Sequence, residues 1–265
     1  MLMNERELQW EQFFARLEQR GSGALALDYD GTLAPFKQDR HAAVPYAGVK
    51  ELIRDIMATG ATRVVLISGR PAEEVRSLLG LSSAPEIWGA HGLQRLHADG
   101  GCEMAEIKGP ERKTLQEAEA WLEQHELGHL AERKPGSIAV HWRGLTHEES
   151  DRINGKVRSA WVPLAARYQM SLLEFDGGIE LRAGGGNKGK AVLTILRELD
   201  TGTPLAFLGD DTTDEDAFLA LQGSDALTVL VRPEWRETNA RAWIRPPGEL
   251  LQFFREWLER TGGAR

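Results

Sequence analysis

The chain has 265 residues, 42% hydrophobic and 27% charged, with 32 Lys and Arg against 40 Asp and Glu for a net charge of −8. That supply of apolar residues suffices for one large domain or two modest ones, which disfavours both a disordered chain and a disulfide-stapled miniature fold. The acidic balance argues against a nucleic-acid binder, the single cysteine (Cys102) allows no internal disulfide and reads as a reduced thiol in a hairpin, and no stretch reaches the roughly 18 uninterrupted apolar residues of a membrane span.

Residues 1–20 are dense in Glu and Arg and lack an apolar h-region. They predict an amphipathic helix with Leu8, Phe13 or Phe14, and Leu17 on one side, not a signal peptide, so cytoplasmic residence is expected. Residues 24–29 (ALALDY) read as a buried strand between Gly23 and Gly31, 47–59 as a helix stopped by Gly60, and 63–68 (RVVLIS) as a second strand. Pro71 opens a helix where its missing N–H is harmless, and 86–88 form a third strand. This alternation predicts a parallel, doubly wound sheet.

The rhythm then changes. Residues 94–107 read as a hairpin turned at Asp99-Gly100-Gly101, 110–124 as a helix, 137–142 as a strand, and 148–166 as a helix broken near Gly155 and Pro163. A further hairpin, 171–175 with 178–182, turns at Asp176-Gly177-Gly178. After Gly184-Gly185-Gly186 the strand–helix rhythm returns, with helices at 188–199, 213–221 and 249–260 and strands at 205–208 and 227–231. The expected fold is α/β: a Rossmann-like parallel-sheet core from residues 1–108 and 185–265, interrupted by an inserted α+β domain, 109–184.

In open parallel sheets ligands sit at the carboxyl ends of strands. At the first such end stand Asp28 and Asp30, one able to attack and the other to handle a proton. At the second, Ser68-Gly69-Arg70 offers a hydroxyl and amides ahead of a helix start, suited to an oxyanion. Lys188 heads a helix and can neutralise an anion. Residues 209–216 (GDDTTDED) gather carboxylates that suit a hard cation. Together these point to phosphoryl transfer through an aspartyl intermediate, with a cation and a lysine offsetting the repulsion between carboxylate and phosphate. Single acids in such turns also serve as caps, and Thr212 with Glu215 fits a capping box.

LDYDGTL, LISGR, NKG and LGDDTTDEDAF, in that order, resemble the four motifs of the haloacid dehalogenase (HAD) superfamily of phosphatases. LDYDGTLAP, SGR, GAHG and GDDTTDEDAF are similar, more narrowly, to the trehalose-6-phosphate phosphatase family, over residues 24 to about 221. The resemblance implies Mg²⁺-dependent hydrolysis of trehalose 6-phosphate to trehalose and phosphate, the last step of trehalose biosynthesis. It implies Asp28 as nucleophile and Asp30 as general acid and base, with Mg²⁺ held by Asp28, the main-chain carbonyl of Asp30, and Asp210. Ser68 and Lys188 would hold the phosphoryl group, and Asp214, with Asp211 nearby, would orient Lys188 or a metal-bound water. The inserted module would be the family's cap, closing over the sugar with Glu132, Lys134 and Glu180 as contacts. His141 and Arg143 stand in a strand resembling the family's, with a structural role as the alternative, and Gly69, Arg70 and His91 would line the substrate entrance, with a satisfied core histidine as the alternative for His91. No nucleic-acid or membrane partner is implied, and a monomer is expected.

Other readings stand beside this one. His125-Glu126-Leu127-Gly128-His129 satisfies the HExxH zinc-protease pattern, although Glu132 and Pro135 occupy the Gly and third His positions of the metzincin continuation. Residues 184–190 nearly fit a P-loop, but Ala191 replaces the Ser or Thr that would meet Mg²⁺. A non-catalytic sugar-phosphate sensor would be favoured by loss of Asp28 or Asp30, and both are present. Another phosphorylated sugar as substrate, or a mutase, keeps the chemistry and changes the acceptor.

Overall fold

The structure, a computed structural model, describes residues 5–37, 39–168, 170–175, 177–184 and 186–262. The chain forms two compact units, residues 1–103 with 187–265, and residues 104–186. The first unit opens with α1 (Glu5–Arg20), β1 (Gly23–Leu27), α2 (Val49–Ala58), β2 (Thr62–Ile67), α3 (Ala72–Leu79), β3 (Glu86–Gly89) and the hairpin β4 (Gln94–Leu96) and β5 (Cys102–Met104). The second unit contains α4 (Gly109–Gln124), β6 (Ala131–Lys134), β7 (Ser137–His141), α5 (His147–Tyr168), β8 (Ser171–Phe175) and β9 (Gly178–Arg182). The chain then completes the first unit with α6 (Lys188–Glu198), β10 (Leu205–Gly209), α7 (Glu215–Ala220), β11 (Leu227–Val231), β12 (Ala242–Ile244) and α8 (Gly248–Arg260).

The strands of the first unit follow the order β12-β11-β10-β1-β2-β3-β4-β5. The pairs from β12 to β3 are parallel, and β4 adds to β3 antiparallel. Every residue of β1 is buried, as expected of a central strand with both faces covered. Because side chains alternate, Leu25 and Leu27 join the core with Phe14, Ile53 and Phe253, while Ala24 and Ala26 face Val192, Ile195 and Phe218. Between β10 and β2 the strand order reverses, and this places a crevice at the carboxyl end of β1.

Helix α1 covers one side of this sheet. Trp10, Phe13, Phe14 and Leu17 fall at i, i+3, i+4 and i+7, and Phe14 meets Phe253 of α8 edge-on at 5.6 Å between ring centroids. Leu8, expected on the buried side, lies off this stripe and is 47% exposed. Trp10 takes its place, 5.5 Å from Phe253.

In the second unit the strand order is β6-β7-β9-β8, all antiparallel. One face carries Ile138, Val140, Ile179 and Leu181, packed with residues of α4 and α5. The other carries Glu132, Lys134, Ser137, His141, Glu180 and Arg182, by the same two-residue period. Helix α5 runs unbroken through Gly155 and Pro163, against expectation. Ile153, Val157, Trp161 and Ala165 bury one stripe, whereas Pro163 and Ser159, whose carbonyl loses its N–H partner, are exposed, so water can satisfy it. Strand β6 escaped notice because AERK has no apolar alternation, and β12 because three residues show no period. Asp176 of the expected turn and Gly185 of the glycine run lie outside the described residues. Among the described residues no helix is long and apolar enough to cross a membrane.

Phe14→Ala is expected to lower unfolding free energy by about 3–5 kcal/mol in denaturant titration, and Leu8→Ala to change it by no more than about 0.5 kcal/mol. Equal losses would contradict the stripe assigned to α1.

Candidate active site

Asp28 stands where β1 ends, and its N–H extends the ladder to Leu208 O at 2.9 Å. One carboxylate oxygen, Oδ1, accepts from Lys188 Nζ at 2.5 Å, and Oδ2 accepts from Thr32 Oγ1 at 3.0 Å. The turn that returns Thr32 needs Gly31 for two reasons. Its φ is +84°, and a Cβ there would stand 2.1 Å from Asp210 Oδ2.

Lys188 begins α6, capped by Asn187, which accepts from Lys190 N at 2.7 Å. Its ammonium also donates to Asp214 Oδ1 at 2.7 Å. The second Asp214 oxygen accepts from the N–H groups of Asp210 and Asp211, at 3.0 Å each, so this carboxylate orders the loop after β10. A Cβ on Gly209 would lie 2.4 Å from Asp214 Cγ, so this approach also requires glycine. The capping box joins Asp211 with Asp214, where Thr212 with Glu215 was expected. Asp211 spends its carboxylate on Thr212 N at 2.7 Å.

Asp28, Asp210 and Asp214 each offer an oxygen, these atoms lying within 4.8 Å of one another, and Asp210 Oδ1 is buried with no hydrogen-bond partner among the described residues. Among the described residues Asp214 accepts three hydrogen bonds, two of them on one oxygen, whereas Asp28 accepts one on each oxygen and Asp210 Oδ1 accepts none, so Asp28 and Asp210 keep the freer ligand positions. A buried set of hard oxygen donors with one unmatched oxygen fits a divalent cation. The electrostatics agree. Burial pushes the Asp28 carboxyl up to about 7, with Lys188 opposing and Asp214 and Asp30 adding. Burial, then Asp28 and Asp214, raises Asp210 well above its ordinary value. Burial works against the Lys188 charge, but Asp214 and Asp28 outweigh it and hold the ammonium protonated.

Asp30 turns to a different partner. Arg70 grips it bidentately, Nε to Oδ2 at 2.6 Å and Nη2 to Oδ1 at 2.7 Å. The remaining Arg70 nitrogen, Nη1, donates to Arg40 O at 2.8 Å and to Glu74 Oε1, and Glu74 is itself paired with Arg40 at 2.6 Å. Ser68 is buried, and its Oγ accepts from Arg70 N at 3.1 Å. His91 supports this turn in a left-handed backbone conformation (φ +56°), its N–H donating to Ser68 O at 2.9 Å. Its ring lies so close to Gly69 that a Cβ there would stand 2.6 Å from Cε1.

In the second unit, Glu132, Lys134 and Glu180 meet on the polar face of the sheet. Lys134 Nζ lies 3.4 Å from Glu132 Oε2 and 3.5 Å from Glu180 Oε1. Ser137 Oγ donates to Glu180 Oε1 at 2.5 Å, His141 Nε2 is 2.7 Å from Glu132 Oε2, and the His141 ring is 5.3 Å from that of Phe175.

Thr32, Glu74, Arg40 and Ser137 were missed by the sequence reading. The Thr in DGT stands next to the catalytic-looking acids and carried a signal; Glu74 and Arg40 look like ordinary surface charges until the chain folds. The HExxH residues do not share a helix. His125 caps α4 and stacks on Trp121 at 4.1 Å, and Glu126 has a φ of +59°. The zinc geometry, which needs both histidines on one helical face, does not form.

A family profile described as trehalose-phosphatase matches residues 26–241. A trehalose-phosphate phosphatase of Mycobacterium marinum is 30% identical over 244 residues, covering 87% of this chain and 60% of that protein. The chain spans about 60% of the length of the curated mycobacterial relatives it matches. A solved structure titled as a trehalose-6-phosphate phosphatase related protein is 26% identical, with a TM-score of 0.68, and the match covers 89% of this chain and 98% of that one. The C-terminal domain of a Candida albicans trehalose-6-phosphate phosphatase shares the fold at a TM-score of 0.77 and 19% identity, covering 98% of both chains.

An acid whose folded value is raised costs stability as pH climbs from its unfolded value, 3.8 for Asp28, toward the folded one, because the native state then holds the extra proton. In EDTA, the melting temperature of Asp28→Asn is therefore expected to gain on the parent protein between about pH 4 and pH 7, at about 2–4 °C per kcal/mol. A gap that stays constant over this range would refute the raised carboxyl.

Proposed function

We propose, since the chain belongs to the trehalose-phosphatase family, that it is a Mg²⁺-dependent phosphoric monoester hydrolase converting trehalose 6-phosphate to trehalose and phosphate. The observation that carries this reading is the buried Asp28–Lys188–Asp214 chain beside the unpartnered oxygen of Asp210. It combines a carboxylate nucleophile, a fixed ammonium and a place for a hard cation at the carboxyl end of a central strand.

The residues divide the work as follows. An Asp28 oxygen attacks phosphorus, the bond from phosphorus to the sugar oxygen breaks, and Asp30, which enters this step as the carboxylic acid and so released from its pairing with Arg70, gives that oxygen a proton. The product on the protein is a phosphoaspartate. Asp30 then takes a proton from water as the water oxygen attacks phosphorus, and inorganic phosphate leaves with Asp28 restored. Lys188 and Ser68 hold oxygens of the transferring group, and Thr32 directs the Asp28 carboxylate through its 3.0 Å hydrogen bond. Asp211 and Asp214 act on the loop that presents Asp210. Arg70 fixes Asp30, and His91 and Gly69 shape the turn carrying Ser68. Asp28, the Asp30 carbonyl and Asp210 would hold Mg²⁺, which supplies positive charge against the repulsion between carboxylate and phosphate.

We assign the second unit, with bounds near residues 109–184, to sugar selection as the cap. Glu132, Glu180 and Lys134 place carboxylate acceptors and an ammonium donor together on one sheet face, a pairing that suits vicinal hydroxyls. The exposed single thiol, Cys102, suits a reducing compartment, in keeping with a cytoplasmic location.

Phosphate release from a panel of sugar phosphates, with and without EDTA, tests the reading. Trehalose 6-phosphate should lead the panel and EDTA should abolish release; a strong preference for another sugar phosphate would reject the substrate. Asp28→Asn should lower turnover by about 10³-fold or more while folding normally, and retained turnover would remove Asp28 as nucleophile. Glu132→Ala or Glu180→Ala should reduce kcat/KM for trehalose 6-phosphate by about 10–100-fold and spare a small aryl phosphate. Equal losses on both substrates would argue against sugar contacts there.

A further inference from the structure

The loop after β11 makes a connection to the site that the proposed chemistry does not use. Arg236 Nη2 donates to Asp211 O at 2.8 Å, and its Nε and Nη2 each lie 3.5 Å from Asp210 O. Arg232 Nη1 approaches the same Asp210 carbonyl at 3.3 Å. Glu215, at the start of α7, fastens the guanidinium. Its Oε1 accepts from Arg236 Nη1 at 2.5 Å and Thr238 Oγ1 at 2.7 Å, and its Oε2 from Asn239 N at 2.8 Å and Asn239 Nδ2 at 3.0 Å.

We propose that Arg236, anchored by Glu215, is a positioning residue that keeps the Asp210–Asp211 turn ready to receive a divalent cation. The proposal rests on the phosphatase reading of this site. Asp214 holds the N–H side of Asp210, at 3.0 Å, and Arg236 and Arg232 hold its carbonyl side. With both flanking peptides fixed, the Asp210 carboxylate keeps one direction, with Oδ2 close over Gly31 and Oδ1 buried and unpartnered. Before a cation arrives, Asp28, Asp210 and Asp214 repel one another, and that repulsion favours opening of the turn. The guanidinium opposes this from behind, with its charge on the carbonyl side and no hydrogen bond to the three carboxylates. A lysine cannot substitute, because its single ammonium does not span two carbonyls and a carboxylate in one plane. The reacting atoms lie elsewhere, so Arg236 acts through the shape of the turn.

The test is binding of Mg²⁺ by calorimetry, and of Mn²⁺ by electron paramagnetic resonance, to the metal-free full chain without substrate. The parent protein, Arg236→Met, Arg236→Lys and Glu215→Gln are compared. Arg236→Met and Arg236→Lys should each weaken cation binding about tenfold and Glu215→Gln about threefold, with the Mg²⁺ concentration for half-maximal phosphate release rising in step. A lower melting temperature with unchanged cation affinity in Arg236→Met would show a merely structural role and overturn the proposal. Should Arg236→Met not fold, unchanged affinity in Glu215→Gln overturns it equally. Normal cation binding by the parent with no change in the variants removes the brace and leaves the phosphatase reading standing. A parent protein that takes up no divalent cation removes that reading, and the brace with it.

Discussion

One ammonium, Lys188 Nζ, lies between Asp28 at 2.5 Å and Asp214 at 2.7 Å, all three groups being almost fully buried. Buried carboxylates carry a desolvation penalty of several kcal/mol each unless opposite charge and hydrogen bonds compensate. Here one lysine serves two of them, and the third, Asp210, keeps an unmatched oxygen. The site thus remains short of positive charge by design of its contacts, and that shortage is what makes it a place for a cation. It also ties α6 to the ends of β1 and β10, so the electrostatics and the topology constrain each other.

Close approach is the second condition. Glycines at 31 and 209 leave room for Asp210 and Asp214 that any Cβ would occupy, with separations of 2.1 and 2.4 Å. Gly69 does the same for His91. These glycines act through the absence of a side chain as much as through backbone freedom, which at Gly31 is also required by its positive φ. Charged side chains away from the centre then hold the loops: Arg70 with Glu74 behind Asp30, and Arg236 with Glu215 behind Asp210.

The second unit separates an apolar face from a polar one within one sheet. A period of two sends Ile138, Val140, Ile179 and Leu181 to the helices and Ser137, His141, Glu180 and Arg182 to the opposite face. The carboxylates there pair with Lys134 and His141, which limits their charge repulsion while leaving several donors and acceptors in one small area.

The linear order of residues was enough for the α/β class and its parallel-dominated sheet, because apolar runs and glycine breaks are local signals. It singled out Asp28, Asp30, Lys188 and Asp210 as candidates because each belongs to a short motif. Local signals misjudged Leu8, the continuity of α5 at Pro163, and β6, where packing or a neighbouring strand decided the outcome. Folding alone decided which acid faces which base: that Asp30 turns to Arg70, that Asp211 caps a turn, and that Glu215 holds a loop more than twenty residues away. Hydrogen-bond geometry depends on separations of a few ångströms between segments distant in sequence, and no period or spacing along the chain encodes those separations.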